Sequence, residues 1–124
     1  MDNQADGLRR IGACAYESIA EMVAALHRDA TADDCEETAR DRIEEDALSV
    51  RVFGERTAGG WTADRYELLL TTGGPAVRIV GDLCDGEPHS ARLEVQDWFQ
   101  PWTEYHDADP AILLEYAACF YFGE

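Results

Sequence analysis

The chain has 124 residues and a mass of 13.8 kDa, one domain's worth of sequence, with 46% hydrophobic residues to build a core. It carries 26 Asp and Glu against ten basic residues, a net charge of −16, and every basic residue is Arg. That balance argues against direct nucleic-acid binding, which needs cations to replace counterions at phosphates. It also argues against a peripheral anchor on anionic lipid, which needs basic patches.

In chain order, residues 1–12 read as a polar, loose arm with no apolar run of the signal-peptide kind. No apolar stretch approaches the roughly 20 residues needed to span a bilayer, so the expected location is the cytoplasm. A first helix is expected from about Ala13 to His27, where Ile19, Met22, Val23 and Leu26 make one apolar stripe. A second helix is expected from Thr31, with Thr31 and Asp34 resembling a capping box. Its core face, Cys35, Ala39 and Ile43, is thin. Four strands follow, centred on 48–52, 66–71, 77–83 and 91–96, with a loop at 54–64 and turns at Gly73-Gly74-Pro75 and Asp85-Gly86. Short turns between successive strands imply an antiparallel meander, because parallel strands need long crossovers. Asp109 and Pro110 open a last helix as N-cap and first helical residue, and Gly123 is expected to end it. The expected class is α+β: two N-terminal helices, a four-stranded antiparallel meander and a C-terminal helix packed on the sheet, in a single domain over 1–124.

The densest charge lies at residues 33–46. Eight carboxylates there face only Arg40 and Arg42, a net of −6. At about 100° per residue, Asp33, Asp34, Glu37, Asp41, Glu44 and Glu45 share roughly one third of a helix surface. Thirteen steps of ~1.5 Å give one net charge per ~3.3 Å; one DNA strand carries a charge per ~3.4 Å. Such an arc is either a solvated face or a DNA-like surface for a basic groove. A halophilic or GC-rich background would also give an acidic, Lys-free chain, although neither requires six carboxylates on one arc.

The second feature is the run Trp98-Phe99-Gln100-Pro101-Trp102-Thr103-Glu104-Tyr105. It reads as a satellite core pinning a loop under the last helix. Alternatively Trp98, Trp102 and Tyr105 anchor a partner, since Trp and Tyr dominate interface hot spots. Catalytic signals are poor. His27, His89 and His106 lack ligand spacing, and Cys84 near His89 is a weak dyad across a turn. Cys14, Cys35, Cys84 and Cys119 are widely spaced, so they read as four reduced core thiols without zinc. No enzyme, no catalytic residue, no metal and no cofactor are expected.

Several segments resemble a family of small acidic proteins carried by bacteriophages and other mobile elements. They are Thr72-Gly73-Gly74-Pro75-Ala76-Val77-Arg78-Ile79-Val80-Gly81, Ala91-Arg92-Leu93-Glu94, Gln96-Asp97-Trp98, Pro101-Trp102-Thr103-Glu104-Tyr105 and the ending Phe120-Tyr121-Phe122-Gly123-Glu124. The resemblance spans about 48–124, leaves the acidic segment outside, and supplies no active site. It implies a gene working inside a bacterial host, where small acidic proteins often inhibit defence. Some anti-CRISPR and anti-restriction proteins imitate DNA and block the basic channel of a nuclease complex. The leading expectation is therefore a non-enzymatic inhibitor whose partner is the basic surface of a host nuclease or CRISPR effector complex. The alternatives are an acidic phage accessory or structural protein, or a small binding protein using Trp98–Tyr105. A homodimer is compatible with the sequence, which names no surface for it.

Overall fold

In the structure, a computed structural model, residues 3–29, 42–72, 75–97 and 101–120 are described. A long helix α1 (Asn3–Asp29) precedes six strands: β1 (Ser49–Thr57), β2 (Gly60–Thr71), β3 (Pro75–Cys84), β4 (Glu87–Pro88), β5 (Arg92–Asp97) and β6 (Thr103–Glu104). The closing helix α2 spans Pro110–Ala117. The sheet is antiparallel in the order β1-β2-β3-β5-β6, with β4 paired to the end of β3.

The class and the meander match the sequence reading, but the element count does not. Among the described residues there are six strands rather than four, and the first helix is longer than expected. That helix already begins at Asn3, so residues 3–12 are helical and not a loose arm. Of the expected second helix, Thr31 to Asp41 lie outside the described residues, and 42–46 are helical. The expected loop at 54–64 is mostly strand: β1 and β2 run on until Thr57 faces Gly60. Thr57 Oγ1 closes that turn on the Gly60 carbonyl at 3.0 Å. This outer half of the hairpin is exposed on both faces, so it lacks the apolar alternation that marks a half-buried strand.

Strand alternation builds the core. Tyr66, Leu68 and Leu70 of β2, Val77, Ile79 and Leu83 of β3, and Leu93 and Val95 of β5 are buried together. Register aligns them, Leu68 opposite Ile79 and Ile79 opposite Leu93. Ile19, Met22 and Val23 of α1 and Leu113, Tyr116 and Ala117 of α2 complete the same cluster. Asp85 (φ 55°) and Gly86 (φ 82°) form the two-residue β3–β4 turn, the left-handed pair that matches strand twist.

Asp109 caps α2 as expected, its Oδ1 accepting from the Ala111 N–H at 3.0 Å. The helix stops at Ala117, before Gly123. The Cys119 and Phe120 N–H groups bond three residues back, to Tyr116 and Ala117, and this tightening ends the α-helical ladder. Of the described cysteines, which are all free, only Cys119 is buried. Cys14 and Cys84 are exposed, which corrects their reading as core thiols; Cys35 lies outside the described residues.

Two buried tyrosines tie loops to this core. Tyr66 Oη donates to the Ser90 carbonyl at 2.6 Å, and Tyr116 Oη donates to Asp46 Oδ2 at 2.7 Å. Burial raises both phenol pKa values well above the usual 10; for Tyr116 the bond to Asp46 adds to the effect. A phenol harder to ionise when folded stabilises the fold fully below its unfolded pKa, and that contribution is lost as pH rises through and beyond it. Stability should therefore fall above about pH 10, by up to ~1.4 kcal/mol per pH unit for each tyrosine. Urea unfolding from pH 8 to 11 checks this. Tyr66→Phe and Tyr116→Phe should each flatten the alkaline decline, and an unchanged slope in both would show that other groups control it.

Candidate partner-binding surface

The acidic segment meets the fold at its C-terminal end. Ile43 is 0% exposed and belongs to the main core cluster, while Glu44, Glu45 and Asp46 beside it are exposed. Full burial of such a side chain is worth about 1.5–3 kcal/mol. With the Tyr116–Asp46 bond, Ile43 fastens residues 42–46 to α2 and fixes the backbone that carries Glu44 and Glu45. Asp33, Asp34, Glu37 and Asp41, the rest of the arc, lie outside the described residues.

The aromatic run is divided by the sheet. Trp98 lies outside the described residues. Trp102 stacks on the face away from the helices, its ring 4.1 Å from the Arg78 guanidinium carbon. Tyr105, just past β6, lies on the helix side. Its ring centroid is 6.4 Å from that of Tyr16 on α1, and it packs against the core cluster. Trp102 and Tyr105 therefore do not form one patch. Tyr105 instead borders a groove of about 510 Å³ between Leu8 and Arg9 of α1 and the segment Thr103–Asp107.

Sequence reasoning missed the cluster beneath Trp102. Arg78 on β3 lies opposite Glu94 on β5, and Glu67 lies one strand over on β2. Arg78 Nε and Nη2 donate to Glu94 Oε1 at 2.8 and 2.7 Å, and Nη1 donates to Glu67 Oε2 at 2.7 Å. Arg51 reaches the other oxygen of Glu67 at 3.4 Å, and Arg92 that of Glu94 at 3.2 Å. Five alternating charges thus cross four strands, and the two carboxylate side chains are only 8% and 13% exposed. Beside this ladder, Phe53 lies between the guanidinium groups of Arg51 and Arg65. The signal existed in the alternation of β2, β3 and β5, but only a known register brings the three positions together.

The ladder matters for the surface as a whole. It commits Arg51, Arg78 and Arg92 to carboxylates of the sheet. These guanidinium groups consequently do little to offset the acidic residues elsewhere. Among the described residues, no three His, Cys, Asp or Glu side chains are grouped to hold a metal ion, and no helix is long and apolar enough to cross a membrane. No protein-family model, curated protein or solved structure matches the chain.

Proposed function

We propose that the protein is a non-enzymatic inhibitor that docks an acidic, DNA-like surface onto a basic, nucleic-acid-binding protein complex. In the setting implied by its resemblance to phage and mobile-element proteins, that complex is a bacterial nuclease or CRISPR effector in the host cytoplasm. The observation carrying this reading is the anchoring of the acidic segment. Ile43 and the Tyr116–Asp46 bond hold its end rigidly, with Glu44 and Glu45 outward. Carboxylates on a fixed backbone present charge at lower ordering cost than the same residues on a free chain. Charge of this density steers a basic partner and makes its binding salt-dependent.

The test is a four-charge variant: Asp34→Asn, Glu37→Gln, Asp41→Asn and Glu45→Gln. Size is kept, and Glu45 is exposed, where a substitution usually costs within about 0.5 kcal/mol. Wild-type protein should capture a basic nucleic-acid-binding complex from bacterial lysate and block its cleavage of DNA. The variant should remain folded, bind much more weakly, and show a shallower dependence on salt. Capture and inhibition unchanged by the substitutions, or no basic partner at all, would overturn the reading.

A further inference from the structure

β1 is a nine-residue strand at one end of the strand order, and among the described residues it pairs with β2 alone. The Leu48 N–H donates to the Leu69 carbonyl. Ser49 and Arg51 are in register with Leu69 and Glu67, whose backbone groups face β1, so those of Ser49 and Arg51 are spent on β2. Backbone direction alternates along a strand, so the groups of Val50 and Val52 point to the outer edge. On the helix face, Val50 lies opposite Leu68, which is completely buried, yet Val50 is 40% exposed and Leu48 58%. The apolar stripe of the core thus runs off the edge of the sheet. The charge along the chain is equally uneven. Residues 48–71 hold three carboxylates (Glu55, Asp64, Glu67) and three arginines (Arg51, Arg56, Arg65), so the entire net charge of −16 lies outside this hairpin. A second copy of so acidic a chain is repelled by most of the molecule, and the neutral, apolar edge is where it can approach.

We propose that two copies of the chain pair through the outer edges of β1, antiparallel about a two-fold axis at Val50, and so join their sheets. In this register Val50 meets Val50 of the second copy and Leu48 meets its Val52, extending the apolar stripe across the junction. Val50 exchanges both N–H···O bonds with Val50 of the second copy across the axis. The paired stretch ends before the irregularity between Phe53 and Gly54, where the hairpin changes course. The contact is the same patch on both copies, so it closes at a dimer. It uses none of the carboxylates invoked for partner binding, so the two proposals fail independently.

Sedimentation velocity on the full chain, across concentration and at low and high salt, tests it. A monomer–dimer equilibrium is expected. Salt should favour the dimer, because screening weakens repulsion between copies; that is the opposite sign to binding a basic partner. Val50→Lys places a charge at the axis on a side chain already part-exposed. Val50→Pro removes an outward N–H without touching the β1–β2 ladder. Each should leave a folded monomer by circular dichroism and abolish the dimer. Val50→Cys in a Cys14→Ser, Cys84→Ser background should cross-link on mild oxidation, since facing residues of a hydrogen-bonded pair lie about 5.5 Å apart, within disulfide range. A monomer under all conditions, a dimer dissolved by salt, a dimer that survives both Val50→Lys and Val50→Pro, or no cross-link would each overturn the proposal.

Discussion

Arg78→Met is expected to destabilise the protein by about 3–5 kcal/mol, the usual consequence of stripping one partner from a buried ion pair. The side chain it removes serves Glu67 and Glu94 at once, through three donors at 2.7–2.8 Å. Arg51 and Arg92 remain, but their side chains are exposed and their contacts longer, at 3.4 and 3.2 Å. Two nearly buried carboxylates would then face each other across β3 without the cation between them. Trp102 would also lose the guanidinium beneath its ring, a contact worth about 0.5–2 kcal/mol. The diagnostic comparison is the triple variant Arg78→Met, Glu67→Gln, Glu94→Gln. Removing all three charges should recover most of the loss, because the penalty comes from the stranded carboxylates rather than from a missing attraction. Urea unfolding of the three proteins measures both steps. A loss below about 1 kcal/mol for Arg78→Met would mean that the ladder behaves like an ordinary surface salt bridge.

Gly81→Ala is expected to cost about 3–5 kcal/mol, and Gly81→Val to prevent stable folding. A Cβ at Gly81 would fall on the Ser90 carbonyl and within 2.9 Å of Tyr66 Cε1. That carbonyl accepts the Tyr66 hydroxyl, and the surrounding loop is held by His89 N–H to the Asp82 carbonyl at 2.8 Å and Asp82 N–H to Ser90 Oγ at 3.0 Å. One methyl group must therefore displace backbone, costing about 1–3 kcal/mol in overpacking. It also strands a buried phenol, at about 1–3 kcal/mol. Because the second cost is the Tyr66 bond itself, Gly81→Ala combined with Tyr66→Phe should be less destabilising than the sum of the single changes. Strict additivity would show that Ser90 moves without breaking that bond.

How much of this could be read from the sequence differs by element. The middle of each long strand was legible because burial on one face writes an alternating pattern, as in Leu93 and Val95. The Asp109-Pro110 start of α2 was legible because capping is local chemistry. The first turns of α1 were not: Gly7 and Gly12 oppose helix locally. Yet a Cβ at Gly12 would run into the Tyr105 ring, a contact far away in sequence. Tyr116, among the most buried side chains, carries no sequence signal of its role, which depends on Asp46 across the fold. For the candidate surface, the exposure of Glu44 and Glu45 followed from helical spacing. The separation of Trp102 from Tyr105 did not, because Thr103 and Glu104 between them join the sheet edge and send the two rings to opposite sides.

The packing of α1 has a consequence for how the chain is made. Its buried residues, Ile19, Met22 and Val23, find their neighbours on β5 and α2, near the far end of the chain. During synthesis the hairpins of the meander can close as they leave the ribosome, since each joins adjacent segments. The earliest helix must wait with its apolar stripe uncovered until Leu93, Leu113 and Tyr116 have emerged. Nascent chains stalled before Leu113 should therefore recruit chaperones through α1, and release of the remaining residues should end that dependence.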